Sequence, residues 1–146
     1  MVSYAQRQAD ILVGRAEGEE PSRRRTRQIE SADQSAVIAW ARGSVGAYPA
    51  LELLYAIPNG GRRDAITGAR MKREGVKAGV LDIHLPVPSG AYVGLWVEMK
   101  TATGTTSQEQ KRVIELLRAY GHRVEVCRSA HDAITVIESY CREVHA

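Results

Sequence analysis

Asp82, Glu98 and Lys100 are the side chains of this 146-residue sequence whose types and spacing could do chemistry. Glu98 and Lys100 sit two apart in Trp96-Val97-Glu98-Met99-Lys100, a run that reads as a strand. Alternation along a strand projects both to one side while Val97 and Met99 face the other. Asp82 interrupts an otherwise apolar stretch, and its neighbours Leu81, Ile83 and Leu85 are expected on the face opposite to it. If the two stretches pair through a Pro88-Ser89-Gly90 turn, Asp82 and Glu98 come to adjacent strands at similar heights. Two carboxylates so placed repel each other unless a cation bridges them. Oxygen ligands that leave several waters on the ion suit Mg²⁺ or Mn²⁺ rather than Zn²⁺. Such an ion activates water and offsets developing negative charge, and Lys100 would orient the nucleophile or stabilise that charge. The same pattern is compatible with a solvated strand face, and a buried aspartate can be held by backbone donors or a nearby arginine.

The elements that must position these residues follow from periodicity. Ile29, Ala32, Ala36, Val37, Ala39 and Trp40 fall at helical spacing and predict a first core helix over 29–42, stopped by Gly43. The apolar run 51–57 ahead of Pro58-Asn59-Gly60-Gly61 predicts a strand leading into a turn, and 64–74 predicts a helix ending at Gly75. Residues 80–87 and 91–100 predict a β-hairpin. Ser107 and Gln110 have capping-box spacing, and Val113, Leu116, Leu117 and Tyr120 continue that helix to Gly121. A strand around Val124, Val126 and Cys127 and a helix opened by Ser129, carrying Ala133, Ile134, Ile137 and Tyr140, complete the order. The expected fold class is α/β, a mixed sheet flanked by helices.

The length suits one domain, and 44% hydrophobic with 25% charged residues is ordinary globular composition. Residues 14–27 hold dense charge and little to bury, so the expectation is an N-terminal segment and basic mobile arm over 1–27 and a folded domain over 28–146. No apolar run is long enough to span a bilayer and the start lacks a secretory layout, which makes the cytoplasm the default location. Cys127 and Cys141 lack disulfide or metal spacing and read as buried free thiols.

The net charge is only +3, yet cations cluster at Arg23, Arg24, Arg25 and Arg27 and again at Arg62, Arg63, Arg70, Lys72, Arg73 and Lys77. Such clusters can track a phosphate backbone, and they can equally be solvated faces. Asn59, Gly60 and Gly61 could bring backbone N–H groups to a phosphate or form an ordinary turn. His84 shares the Asp82 face and is more simply a neighbour of an ion than its ligand. His122, His131 and Cys127 lack zinc spacing, and Trp40, Tyr48 and Tyr55 read as core rather than as a base-stacking platform.

From IPNGGRRDAITGARMKREGVKAGVLDIHLPV, through GLWVEMKTATGTTSQEQ, to LLRAYGHRVEVC, the sequence resembles the VRR-NUC family of PD-(D/E)XK nucleases, of the stand-alone phage and bacterial kind. The likeness spans roughly residues 28–140 and rests on an ordered set: a Pro-Asn-Gly turn, a Gly-x-x-Asp strand, a Glu-x-Lys strand and a Ser-x-x-Gln helix start. It implies a restriction-endonuclease-like core and a DNA endonuclease using Mg²⁺ or Mn²⁺. Asp82 and Glu98 would bind metal, Met99 would lend its backbone carbonyl, and Lys100 would be the catalytic lysine. Gln110 corresponds to the glutamine after the Glu-x-Lys strand, a role compatible with its capping box. Glu30 matches the acidic residue on the first helix, with Asp33 as its rival. DNA-contacting residues would be Asn59, Gly60, Arg62, Arg63, Arg70, Lys72, Arg73 and Lys77. The family further implies branched or junction DNA as substrate and a homodimer, while the basic arm over 14–27 would suit delivery by a helicase or recombination partner. A noncatalytic nucleic-acid-binding module and a partner-dependent nuclease subunit are the alternatives. Leu81 stands where the family has proline before the aspartate, which puts the local strand geometry in question and leaves the ligands in place.

Overall fold

The computed structural model describes residues 21–59 and 64–144. Helix α1 (Pro21–Gly43) is followed by a 3₁₀ turn (Pro49–Leu53), strand β1 (Tyr55–Ala56) and helix α2 (Ala65–Arg73). Strands β2 (Ile83–Leu85) and β3 (Leu95–Met99), helix α3 (Gln108–Ala119), strand β4 (Arg123–Cys127) and helix α4 (Ala130–Arg142) complete it. The sheet runs β1-β2-β3-β4, with the first two pairings antiparallel and β3 parallel to β4. This is the mixed sheet flanked by helices that the sequence predicts.

Alternation divides the sheet. Ile83, Leu85, Leu95, Val97 and Met99, each at most 1% exposed, pack with Cys127 against Val37 and Ala41 of α1 and Ala133, Ile137 and Tyr140 of α4. A smaller cluster on the other face joins Val124 and the half-buried Trp96 to Ile114, Val113 and Leu117 of α3. The hairpin is fastened to α4 by two hydrogen bonds: Tyr140 Oη donates to the Val87 carbonyl and Ser89 Oγ donates to the Tyr140 carbonyl, each at 2.6 Å. Cys127 and Cys141 are buried free thiols, both pushed up to about 11, chiefly by burial. No helix among the described residues is long and apolar enough to cross a membrane.

Four sequence expectations are corrected. Helix α1 begins at Pro21 rather than at 29, so residues 21–27 continue that helix, while the rest of the expected N-terminal arm, 1–20, lies outside the described residues. Proline suits the first helical turn and arginine is a good helix former, but a segment burying nothing leaves no apolar period to read. Residues 51–57 are not a strand throughout: Pro49 opens a 3₁₀ turn that buries Leu51, and only Tyr55–Ala56 pairs in the sheet. Leu81 does not share a face with Ile83 and Leu85, because the chain bends at Asp82 and carries Leu81 into the α3 cluster. On α3 the residue that is buried is Ile114, while Leu116 and Tyr120 are 49% and 78% exposed.

Candidate active site

The register of β2 and β3 pairs Ile83 with Val97, and one step further along sets Asp82 opposite Glu98. Beyond Ile83 the ladder stops, and the Asp82 carboxylate takes the place of a strand carbonyl by accepting from the Met99 N–H at 2.8 Å. A residue's N–H and C=O lie on the same edge of a strand. The Met99 carbonyl therefore belongs to the edge that faces Asp82, while Lys100 N–H donates across the other edge to the Cys127 carbonyl at 2.9 Å.

Three carbonyls in succession hold the bend that aims Asp82. The Ile57 N–H donates to the Asp82 carbonyl at 2.8 Å, and Asn59 Nδ2 donates to the carbonyls of Val80 at 2.6 Å and Leu81 at 3.0 Å. Ile57 and Asn59 thus clamp the segment that carries the aspartate.

Glu98 is 1% exposed, an expensive place for a carboxylate. Its Oε1 lies 2.7 Å from Lys100 Nζ and accepts a hydrogen bond from Gln110 Nε2, while its Oε2 is buried without a partner. Burial and then the negative charge of Asp82 push the Glu98 carboxyl up to about 7, against the opposing pull of Lys100 and Gln110. Burial by itself pulls the Lys100 ammonium down, but the hydrogen bond and charge of Glu98, with Glu30 and Asp82 behind it, outweigh that and hold it above its ordinary value. Gln110 serves both ends of its amide, since its Oε1 also accepts from the Ser107 N–H at 3.0 Å to close the capping box of α3. Glu30 reaches the loop after β3, accepting from the Thr101 N–H at 3.3 Å. It and Asp82 line a cleft of about 720 Å³ beside α1 that Asp33 does not line.

A model of the VRR-NUC domain matches residues 19–131. The chain belongs to the VRR-NUC family. A solved structure, described as a VRR_NUC domain protein, matches with a TM-score of 0.67 and 28% identity over 80% of this chain and 90% of that one. No curated protein matches. The VRR-NUC domain is of the PD-(D/E)XK nuclease type, so a nuclease activity in general follows from membership, and nucleases of this type generally use divalent metals.

The VRR-NUC fold thus brings Asp82, Glu98, Met99, Lys100, Gln110 and Glu30 to one end of the sheet. Among the described residues no three His, Cys, Asp or Glu side chains converge as a metal cluster. The donor set that fits a hard divalent ion is smaller: two neighbouring carboxylates, one with a partnerless buried oxygen, and the Met99 carbonyl on the same edge. Of the expected DNA contacts, Gly60, Arg62 and Arg63 lie outside the described residues. Lys72 and Lys77 line a second cleft of about 1040 Å³ between α2 and α3, together with Arg112 and Gln110. Arg70 pairs with Glu74 at 3.8 Å along α2, and Arg73 is exposed on the same helix outside that cleft. Asn59 borders both clefts, with its amide donors committed to Val80 and Leu81.

His84 is drawn away from the carboxylates. Its ring stacks on Trp96 with centroids 3.9 Å apart, and its Nδ1 lies 2.7 Å from Tyr55 Oη. Burial and then His122 hold it below the ordinary histidine value. Tyr55 is 47% exposed rather than core, whereas Trp40 packs on the main core and Tyr48 Oη donates to Glu138. Arg128 has no counterpart in the sequence reading: its Nη1 donates to the carbonyls of Thr101 at 2.8 Å and Gly104 at 2.7 Å, pinning the loop that leaves Lys100. Nothing in local spacing signals a contact between residues 24 or more apart.

Proposed function

We propose that this VRR-NUC domain is an endodeoxyribonuclease that hydrolyses phosphodiester bonds with Mg²⁺ or Mn²⁺. The observation that carries the reading is the meeting of Asp82, Glu98 and Lys100 around a buried, partnerless Glu98 Oε2. Asp82, Glu98 and the Met99 carbonyl would hold the ion, which when bound supplies Lewis acidity toward a phosphoryl oxygen and makes water more acidic.

The chain's own residues supply the rest. Gln110 fixes the orientation of the Glu98 carboxylate, and Asn59 fixes the backbone that presents Asp82. With Glu98 beside it and no metal bound, Lys100 is held above its ordinary pKa. It would orient the attacking water or stabilise charge on the phosphoryl oxygens. Oxygen of water bonds to phosphorus, one P–O ester bond breaks, and the leaving oxygen takes up a proton. Glu30, beside Thr101, would complete the acidic side of the site.

Branched DNA as preferred substrate and a homodimer as active species extend the proposal on family resemblance, and a helicase or recombination partner that delivers the domain is a separate extension. A two-fold dimer would present two sites to two strands. The test is cleavage of a labelled four-way junction and a matched linear duplex with Mg²⁺, Mn²⁺ or EDTA, by the native protein and by Lys100→Ala. Metal-dependent cutting lost in the variant supports the chemistry. Equal cutting of both DNAs removes the junction preference, and binding without cutting by the native protein overturns the nuclease reading.

A further inference from the structure

Most of α1 does not serve the core. Its buried residues are Val37 and Ala41, near its C-terminal end, and Ile29 is 43% exposed. The helix nevertheless runs on for four further turns toward Pro21, and a helical segment with no apolar face gains little stability from packing. What that segment does present is a polar stripe along the cleft that ends at Asp82. Arg24, Arg27, Gln28, Ser31 and Gln34 all line it, and positions 24, 27, 28, 31 and 34 share one face of a helix. Arg23 and Arg25 do not line it. Ser35 borders the cleft too, but its hydroxyl donates to the Ser31 carbonyl at 2.9 Å.

We propose that this stripe is a backbone-binding track for the nucleic-acid strand on one side of the scissile phosphate. The inference rests on the nuclease reading of the site and deepens it. Guanidinium, amide and hydroxyl groups are the donors that proteins place on phosphate oxygens, and the stripe has no aromatic ring to stack on a base. From Arg24 to Gln34 it extends roughly 15 Å at the rise of an α-helix, against about 3.4 Å of axis per phosphate of one strand. About four phosphates fit along it. The second cleft continues on the other side of Asn59 with Lys72, Lys77 and Arg112. Cations therefore line both clefts, and the carboxylates of Glu30 and Asp82 line the first together with Arg24 and Arg27. A strand laid through both clefts meets cations in each and, in the first, the carboxylates at which it is to be cut.

The experiment compares Arg24→Ala/Arg27→Ala with Arg23→Ala/Arg25→Ala, which remove the same charge from the same helix, only the first pair lining the cleft. Binding of a fluorescent linear duplex is measured by anisotropy in EDTA across a range of salt concentrations, with helicity and thermal midpoint recorded for each protein. The track needs no metal, so the native protein binds in EDTA. The first double variant weakens binding by at least about tenfold and flattens the log–log salt dependence by about two, near 0.9 for each lost phosphate contact. The second changes both much less, and Arg24→Lys/Arg27→Lys restores the salt slope. Equal losses in the two alanine variants, or native affinity in the first, overturn the track. So does a native protein that fails to bind in EDTA. Metal-dependent cleavage by the same preparations reports separately on the nuclease reading, which survives loss of the track and can fail without it.

Discussion

Val97 and Met99 on one face of β3, and Glu98 and Lys100 on the other, are consecutive residues largely withdrawn from water, yet their surroundings ask different things of them. The odd-numbered pair sits in an apolar cluster that α1 and α4 close from above, where burial alone is favourable. The even-numbered pair sits beside a smaller cluster under α3, where burial opposes the Glu98 charge and only Lys100, Gln110 and, in our reading, a cation offset it. One strand therefore carries stability on one side and chemistry on the other, with the pleat as the divider. Perturbations of the two sides should separate cleanly.

The largest separation is expected from Glu98→Gln. Cleavage should fall by at least about 10²-fold, because a neutral amide is a poor ligand for the ion whose Lewis acidity carries the reaction. Its thermal midpoint in EDTA at pH 8 should not fall, because the neutral amide removes a carboxylate held against Asp82. A variant that still cuts, or that unfolds early, would erase the distinction between the faces. Met99→Ala should do the reverse. Truncating that buried side chain costs about 2–5 kcal/mol in urea unfolding. It leaves the backbone carbonyl in place, so kcat per folded molecule should stay within a few-fold of the native value.

Asn59 tests how far the chemical face extends beyond the strands. With its donors on Val80 and Leu81, it acts as a positioning residue for Asp82. Asn59→Ala should weaken Mn²⁺ binding, followed by calorimetry, by about 10–100-fold, the range found when a ligand loses its support. DNA affinity in EDTA should hold. If DNA binding falls and Mn²⁺ binding does not, Asn59 is a phosphate contact after all.

How much of this was legible in the sequence depended on how local the signal was. The alternation in 96–100 and a turn, expected at 88–90 and found at Gly90-Ala91 between the paired Ser89 and Tyr92, place Asp82 against Glu98 because period and turn chemistry act within a few residues, and Ser107 with Gln110 does the same for α3. Where geometry is decided at a distance, pattern fails. Residues 21–27 have no large apolar side chain to mark a helix, and the leucines at 51, 53 and 54 look like a strand until Pro49 winds the first two into a 3₁₀ turn. Leu81 is deflected by a bend whose donors come from residues 57 and 59. The Tyr55, His84, Trp96 and His122 rings gather from three strands and a strand entrance, and Arg128 reaches back to residues 101 and 104. Such contacts have no period to read.

The last expected effect is the most direct reading of the Glu98 environment. Its carboxyl is raised from 4.5 to about 7 in the metal-free fold. Between those values the folded protein holds a proton that the unfolded chain has released, so stability falls as pH rises. The contribution is complete below 4.5 and is lost as pH passes through about 7. Urea unfolding in EDTA at a series of pH values should therefore show a decline across that window with the slope of about one proton, absent in Glu98→Gln. An ion on the site favours the ionised carboxylate, so added Mg²⁺ or Mn²⁺ should flatten the decline and stabilise the protein more at pH 8 than at pH 5. A native protein whose stability in EDTA is flat across the window would mean that Lys100 and Gln110 already satisfy Glu98, and the two faces of β3 would differ less in energy than in chemistry.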